Sequence, residues 1–99
     1  MAEKFSKFDS AEYLKTEEDM AAYLDACLEE AEDDPAFITK ALGVIARARG
    51  MSQLARDTGM TRQALYKALS EDGNPEFSTV LKVVHALGLK LGAEVAPRV

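Results

Sequence analysis

The stretch from Met51 to Ser70, MSQLARDTGMTRQALYKALS, constrains the fold more than any other part of the chain. Leu54 and Ala55, then Leu65 and Leu69, recur at helical spacing on either side of Thr58-Gly59. That pair stops a helix, because glycine enters positive φ without steric cost. Each half is about two turns long, and isolated helices shorter than about 12 residues are marginal in water. Both halves must therefore draw their stability from packing on other helices, so the chain has to be a helical bundle with a shared core. The 99 residues amount to one domain, and a 47 % hydrophobic composition supplies a modest core.

Helix punctuation elsewhere supplies the remaining elements. Thr16 predicts an N-cap, followed by Glu17, Glu18 and Asp19, whose charges suit the positive end of a helix. Met20, Tyr23, Leu24, Cys27, Leu28 and Ala31 then mark one buried stripe. Asp34-Pro35 opens a second helix, with Asp34 as cap and Pro35 in the first helical position. Its apolar face is Phe37, Ile38, Ala41, Leu42, Ile45 and Ala48, and Gly50 ends it after Arg47 and Arg49. Ser52 is expected to cap a third helix over 53–58, and Thr61 a fourth over 62–70.

The turn EDGNP, 71–75, leads to a fifth helix from Glu76 to Leu87, with Phe77, Val80, Leu81, Val84 and Leu87 inward and Gly88 as its stop. Beyond it, LKLGAEV alternates apolar and polar residues, which predicts a half-buried strand over 89–95. A lone strand leaves backbone groups unpaired, so a copy of itself in a second subunit is its expected partner. The expected architecture is all-α: an arm over 1–15, an acidic helix over 16–33, a helical bundle over 35–88 and a short C-terminal β-strand.

Several function classes find no support. No window approaches 18 consecutive apolar residues, so no membrane span is expected. The N-terminal MAEKFSKFDS lacks the apolar run of a secretion signal. A single cysteine, Cys27, excludes an internal disulfide framework and makes a reducing cytoplasm the expected compartment. Cys27 lies on an apolar stripe with no base beside it, which is the pattern of a core residue. His85 has no second ligand at metal spacing. No Ser-His-Asp or Cys-His pattern and no phosphate-cradling glycine loop is present, so neither an enzyme nor a cofactor is expected.

Charge is more informative. The net charge is −5, yet residues 1–34 carry three lysines against twelve acids, whereas 35–99 carry nine Lys/Arg against five acids. Within 40–70 six basic residues face Asp57 alone. Such asymmetry between halves points to charged partners.

Ala55, Gly59 and Leu65 satisfy the needs of a helix-turn-helix: a small residue where the helices touch, a positive-φ residue in the turn and an apolar anchor on the second helix. Arg62, Gln63, Tyr66 and Lys67 are then left pointing outward from that second helix, with Thr61 at its tip. Arg pairs bidentately with guanine and Gln with adenine in the major groove, and Lys and Tyr suit phosphate or edge contacts. The bland alternative is a structural hairpin with an exposed polar face.

SQLARDTGMTRQALYKAL followed by GNPEFSTVLKVVHALGLKL resembles the lambda-repressor/Xre helix-turn-helix group. Joined to FDSAEYLKTEEDMAAYLDACLEEA and DPAFITKALGVIARARGMSQLARDTGM, the whole resembles the addiction-module antidote proteins, HigA-like antitoxins paired with a small RelE/HigB-type toxin. The resemblance spans about residues 8–92. It implies binding to a double-stranded DNA operator and to a small basic toxin, while pairing of the 89–95 strand across a two-fold axis would make a homodimer that meets a palindromic operator. Carried over by motif, Gln53 would touch the DNA backbone and brace Gln63. Arg62, Gln63 and Lys67 would read bases, and Asn74 and Thr79 would contact phosphate, where Glu71 and Asp72 bring unfavourable charge. The acidic N-terminal half is the physical counterpart of a basic toxin, with Phe5, Phe8, Tyr13 and Leu14 as apolar anchors. A stand-alone Xre-type regulator without a toxin is the alternative.

Overall fold

The structure, a computed structural model, describes residues 14–31, 33–70 and 72–97. Five helices follow in order: α1 Glu17–Glu30, α2 Pro35–Arg49, α3 Met51–Thr58, α4 Arg62–Ala68 and α5 Phe77–Ala86.

The caps explain why the helices start where they do. The Thr16 hydroxyl accepts from the Asp19 N–H at 3.1 Å, and the Asp19 carboxylate accepts from the N–H groups of Thr16 and Lys15, both at 3.1 Å. This reciprocal box satisfies N–H groups that have no partner inside the helix. The backbone N–H groups of Lys15 and Thr16 hold the Asp19 carboxyl below its ordinary value. Asp34 caps α2 by accepting from the Phe37 N–H at 3.2 Å, with Pro35 at the first helical position.

Between α2 and α3 the chain turns on one residue, Gly50, which is the C-cap of one helix and the N-cap of the next at φ 113° and ψ 114°. No side chain caps α3, so Ser52 does not do what was expected of it; it is exposed in the first turn of a helix that already starts at Met51. The sharp joint at Gly50 makes a polar cap unnecessary to start the helix, and a bend of that kind is open to glycine alone. The helix α4 ends at Ala68 rather than at residue 70.

Ile45 of α2, Leu54 of α3, Leu65 of α4, Val83 and Val84 of α5, and Leu87 just beyond it, are the largest fully buried side chains. Met20 and Leu24 carry the core onto α1, which packs on α2; α3 packs against α2, α4 and α5. Cys27 is buried on the α1 stripe, and burial pushes its thiol upward, as expected of an inert core thiol.

Four further expectations are corrected. No strand forms over 89–95 or elsewhere among the described residues. The Leu89 N–H closes the end of α5 on the Val84 carbonyl at 3.0 Å, and from Lys90 onward every described residue is exposed. Alternation favours an extended run here, but a sheet needs a second run beside it, and none is present among the described residues. Phe77 is 66 % exposed, because α5 buries Val83 and Val84, with Leu87 beyond and Val80 partly covered; this stripe leaves Phe77 to one side. Phe37 is likewise exposed at the start of α2. Leu14 is not a free anchor but part of the core, 6 % exposed. Residues 1–13, with Phe5, Phe8 and Tyr13, lie outside the described residues. No helix among the described residues is long and apolar enough to cross a membrane.

Candidate nucleic-acid interface

The turn between α3 and α4 is fixed on both sides. Gly59 takes φ 76°, and its N–H and that of Met60 fold back onto the carbonyls of Arg56 and Ala55. That pair of bonds is a Schellman closure, with Met60 as the apolar residue that follows it. Thr58 adds a buried seal: its hydroxyl donates to the Leu54 carbonyl at 2.8 Å and accepts from the Met60 N–H at 3.3 Å. Thr61 then caps α4 by accepting from the Ala64 N–H at 3.0 Å. At its far end α4 rests on α2, where Gly43 is buried; a Cβ at Gly43 would sit 2.9 Å from the Leu69 carbonyl oxygen. Core burial of Leu65 and Leu69 fixes the rotation of α4.

That rotation leaves Arg62, Gln63, Tyr66 and Lys67 exposed. Arg62 and Tyr66, and likewise Gln63 and Lys67, are four residues apart, so they form two adjacent rows on one face. The Arg62 guanidinium lies 5.9 Å from the centroid of the Tyr66 ring, within the range of a cation–π contact.

Arg62 and Tyr66 also line a shallow groove of about 560 Å³ whose other walls are Arg47, Gly50, Met51, Ser52, Gln53 and Arg56. Three arginines thus line one groove beside the start of α3. Arg47 and Arg56 were not singled out from the sequence. Their clustering depends on how α2, α3 and α4 cross, and only the basic excess over 40–70 signalled it.

Gln53 lies in the groove, but its amide is held within its own helix. It donates to Asp57 Oδ1 at 3.0 Å and accepts from Arg56 at 2.9 Å. No hydrogen bond among the described residues joins Gln53 to Gln63, and Arg56 and Asp57 position the Gln53 amide. Asp57, the acid of this basic region, also faces Arg49 at 3.7 Å, and Arg49 approaches Glu17 at 4.0 Å. Arg49 is thereby drawn toward acids and does not line the groove.

Asn74 is exposed in the connection before α5, and Thr79 is half-buried in the first turn of α5; neither lines the groove. The face as a whole offers N–H donors and positive charge to an anionic polymer.

The chain is similar to known proteins along nearly its whole length. It is 53 % identical over 90 residues to an uncharacterised protein of Haemophilus influenzae (strain ATCC 51907 / DSM 11121 / KW20 / Rd), covering 91 % of each chain. No solved structure matches it. The family model for a probable addiction module antidote protein matches residues 4–95. The chain belongs to that family of addiction module antidote proteins.

Proposed function

We propose that this chain is the DNA-binding antidote of a toxin–antidote pair, one that neutralises its toxin by direct binding and represses its own operon. Antidote membership implies a toxin partner. The resemblance to HigA-like proteins specifies it as a small basic toxin of the RelE/HigB type.

The observation that carries the DNA reading is the grouping of Arg47, Arg56 and Arg62 in one groove with Gln53, next to an α4 face bearing Gln63 and Lys67. In the lambda-repressor-like docking this supports, α4 enters the major groove and α3 crosses the backbone. Arg62 and Gln63 read base edges, and Lys67 and Tyr66 make phosphate or edge contacts. Arg47 and Arg56 neutralise phosphates beside Gln53. The O–H of Thr61 remains available as a donor, since its oxygen is what caps α4. Asn74 and Thr79 make the outlying phosphate contacts. A homodimer sets two α4 helices about 34 Å apart on a palindromic operator.

Expression of the adjacent small gene, with and without this chain, tests the antidote role, and a reporter fused to the upstream DNA tests repression. Growth arrest relieved by this chain, with the reporter silenced, is the expected pair of results. Arrest that persists with a fully active reporter would refute the proposal.

A further inference from the structure

The acidic half of the molecule carries a groove of its own, about 520 Å³ in volume, between α1 and the run that follows α5. One wall is the α1 stripe Ala21, Leu24, Asp25, Leu28 and Glu29; the other is residues 89–94. Its floor is leucine-rich and its rim is acidic, with Lys90 as the one basic residue against Asp25, Glu29 and Glu94. Six of the fourteen residues of α1 are acids and none is Lys or Arg. Leu91 stands 36 % exposed on the rim. The described residues offer the backbone of 90–97 no hydrogen-bonding partner. An unpaired backbone run beside an apolar floor is a template for an added strand.

From this we infer that the groove between α1 and residues 89–94 is where the toxin docks, and that the docking segment is basic, carries apolar side chains at alternate positions and pairs with the 90–94 backbone. The inference rests on the antidote reading of the chain. Charge selects the occupant. A second copy of this chain would bring the same acidic rim against this one, which like-charge repulsion disfavours, whereas a basic segment gains both attraction and faster encounter. The groove lies on elements that do not line the arginine groove, so one chain can hold toxin and DNA together.

The test uses the full-length chain and the protein encoded by the adjacent gene as probe. Asp25→Lys/Glu29→Lys and, separately, Leu91→Asp alter exposed residues, so folding is expected to survive and is checked by circular dichroism. Binding to the adjacent-gene protein should weaken at least about 30-fold in each variant. Binding to the upstream DNA should stay within about twofold, and Arg62→Ala/Gln63→Ala should show the reverse pattern. Unchanged toxin binding in both groove variants overturns the docking site and leaves the antidote reading standing. A wild-type chain that does not bind the adjacent-gene protein overturns both. Variants that turn monomeric and keep toxin binding assign the groove to a second copy and overturn the inference.

Discussion

The guanidinium of Arg62 lies over the ring of Tyr66, 5.9 Å from its centroid, one helical turn away on the exposed face of α4. Tyr66 is 46 % exposed, so its ring is not a core residue but a platform for the arginine. A positioned arginine loses less freedom on binding than a free one. Tyr66→Phe keeps the platform and should leave operator affinity within about twofold, whereas Tyr66→Ala should cost about 0.5–1 kcal/mol. Titration of the two variants on one operator fragment checks this. Equal losses in both would show that the hydroxyl, not the ring, matters.

On the proposed docking, base-reading and phosphate-neutralising residues should separate by their response to salt. Arg62→Ala and Gln63→Ala should each cost about 1–3 kcal/mol and relax base preference at one position. Arg47→Ala, Arg56→Ala and Lys67→Ala should weaken all sequences alike and each reduce the slope of log K against log salt by about 0.9. Affinities measured at several salt concentrations on matched and mutated operators distinguish the two groups. Arg56→Ala should also loosen Gln53, since it removes the donor on the amide oxygen.

Gly43 sets how closely α4 can lie on α2. Replacing a helical glycine by alanine ordinarily gains up to about 1 kcal/mol. Here the added methyl would meet the Leu69 carbonyl at 2.9 Å, and a backbone atom at the end of a packed helix gives way only by moving α4. Overpacking of this kind costs about 1–3 kcal/mol. Gly43→Ala should therefore lower the urea midpoint, contrary to propensity, and should weaken operator binding as well. A raised midpoint would show that α4 shifts freely.

The Asp19 capping box makes part of the stability acid-sensitive. The folded carboxyl lies below its ordinary 3.8, so its stabilisation is fully present above that value and is lost as pH falls through the lowered one. The difference in urea midpoint between wild type and Asp19→Ala should be constant above about pH 5 and shrink toward zero near pH 2. A difference that persists undiminished in acid would mean the carboxylate charge is not what holds the start of α1.

Local chemistry was legible in the sequence and tertiary geometry much less so. Thr16, Asp34, Pro35, Gly59 and Thr61 each act within four residues of themselves, and each does what its type predicts. Ser52 failed as a cap because Gly50 starts α3 by backbone geometry alone. Phe77, expected inward, is exposed while Val83, absent from the expected stripe, is fully buried, because a run of apolar residues admits more than one rotation and only packing chooses. The alternation in LKLGAEV was real, but a strand is a pairing and not a property of one segment. Of the site, the exposed α4 residues were legible from Leu65 and its spacing. Arg47 and Arg56 were not, because they join Arg62 only where three helices cross.

On the proposed docking, α4 reads operator DNA through Arg62 and Gln63. The most direct measurement is a titration of the DNA upstream of the gene, at two salt concentrations, with wild type and Arg62→Ala/Gln63→Ala. Tight, salt-dependent binding by wild type is expected, with a loss of about 2–6 kcal/mol in the double variant and residual binding that is still salt-dependent. Normal operator affinity in the double variant would contradict that docking.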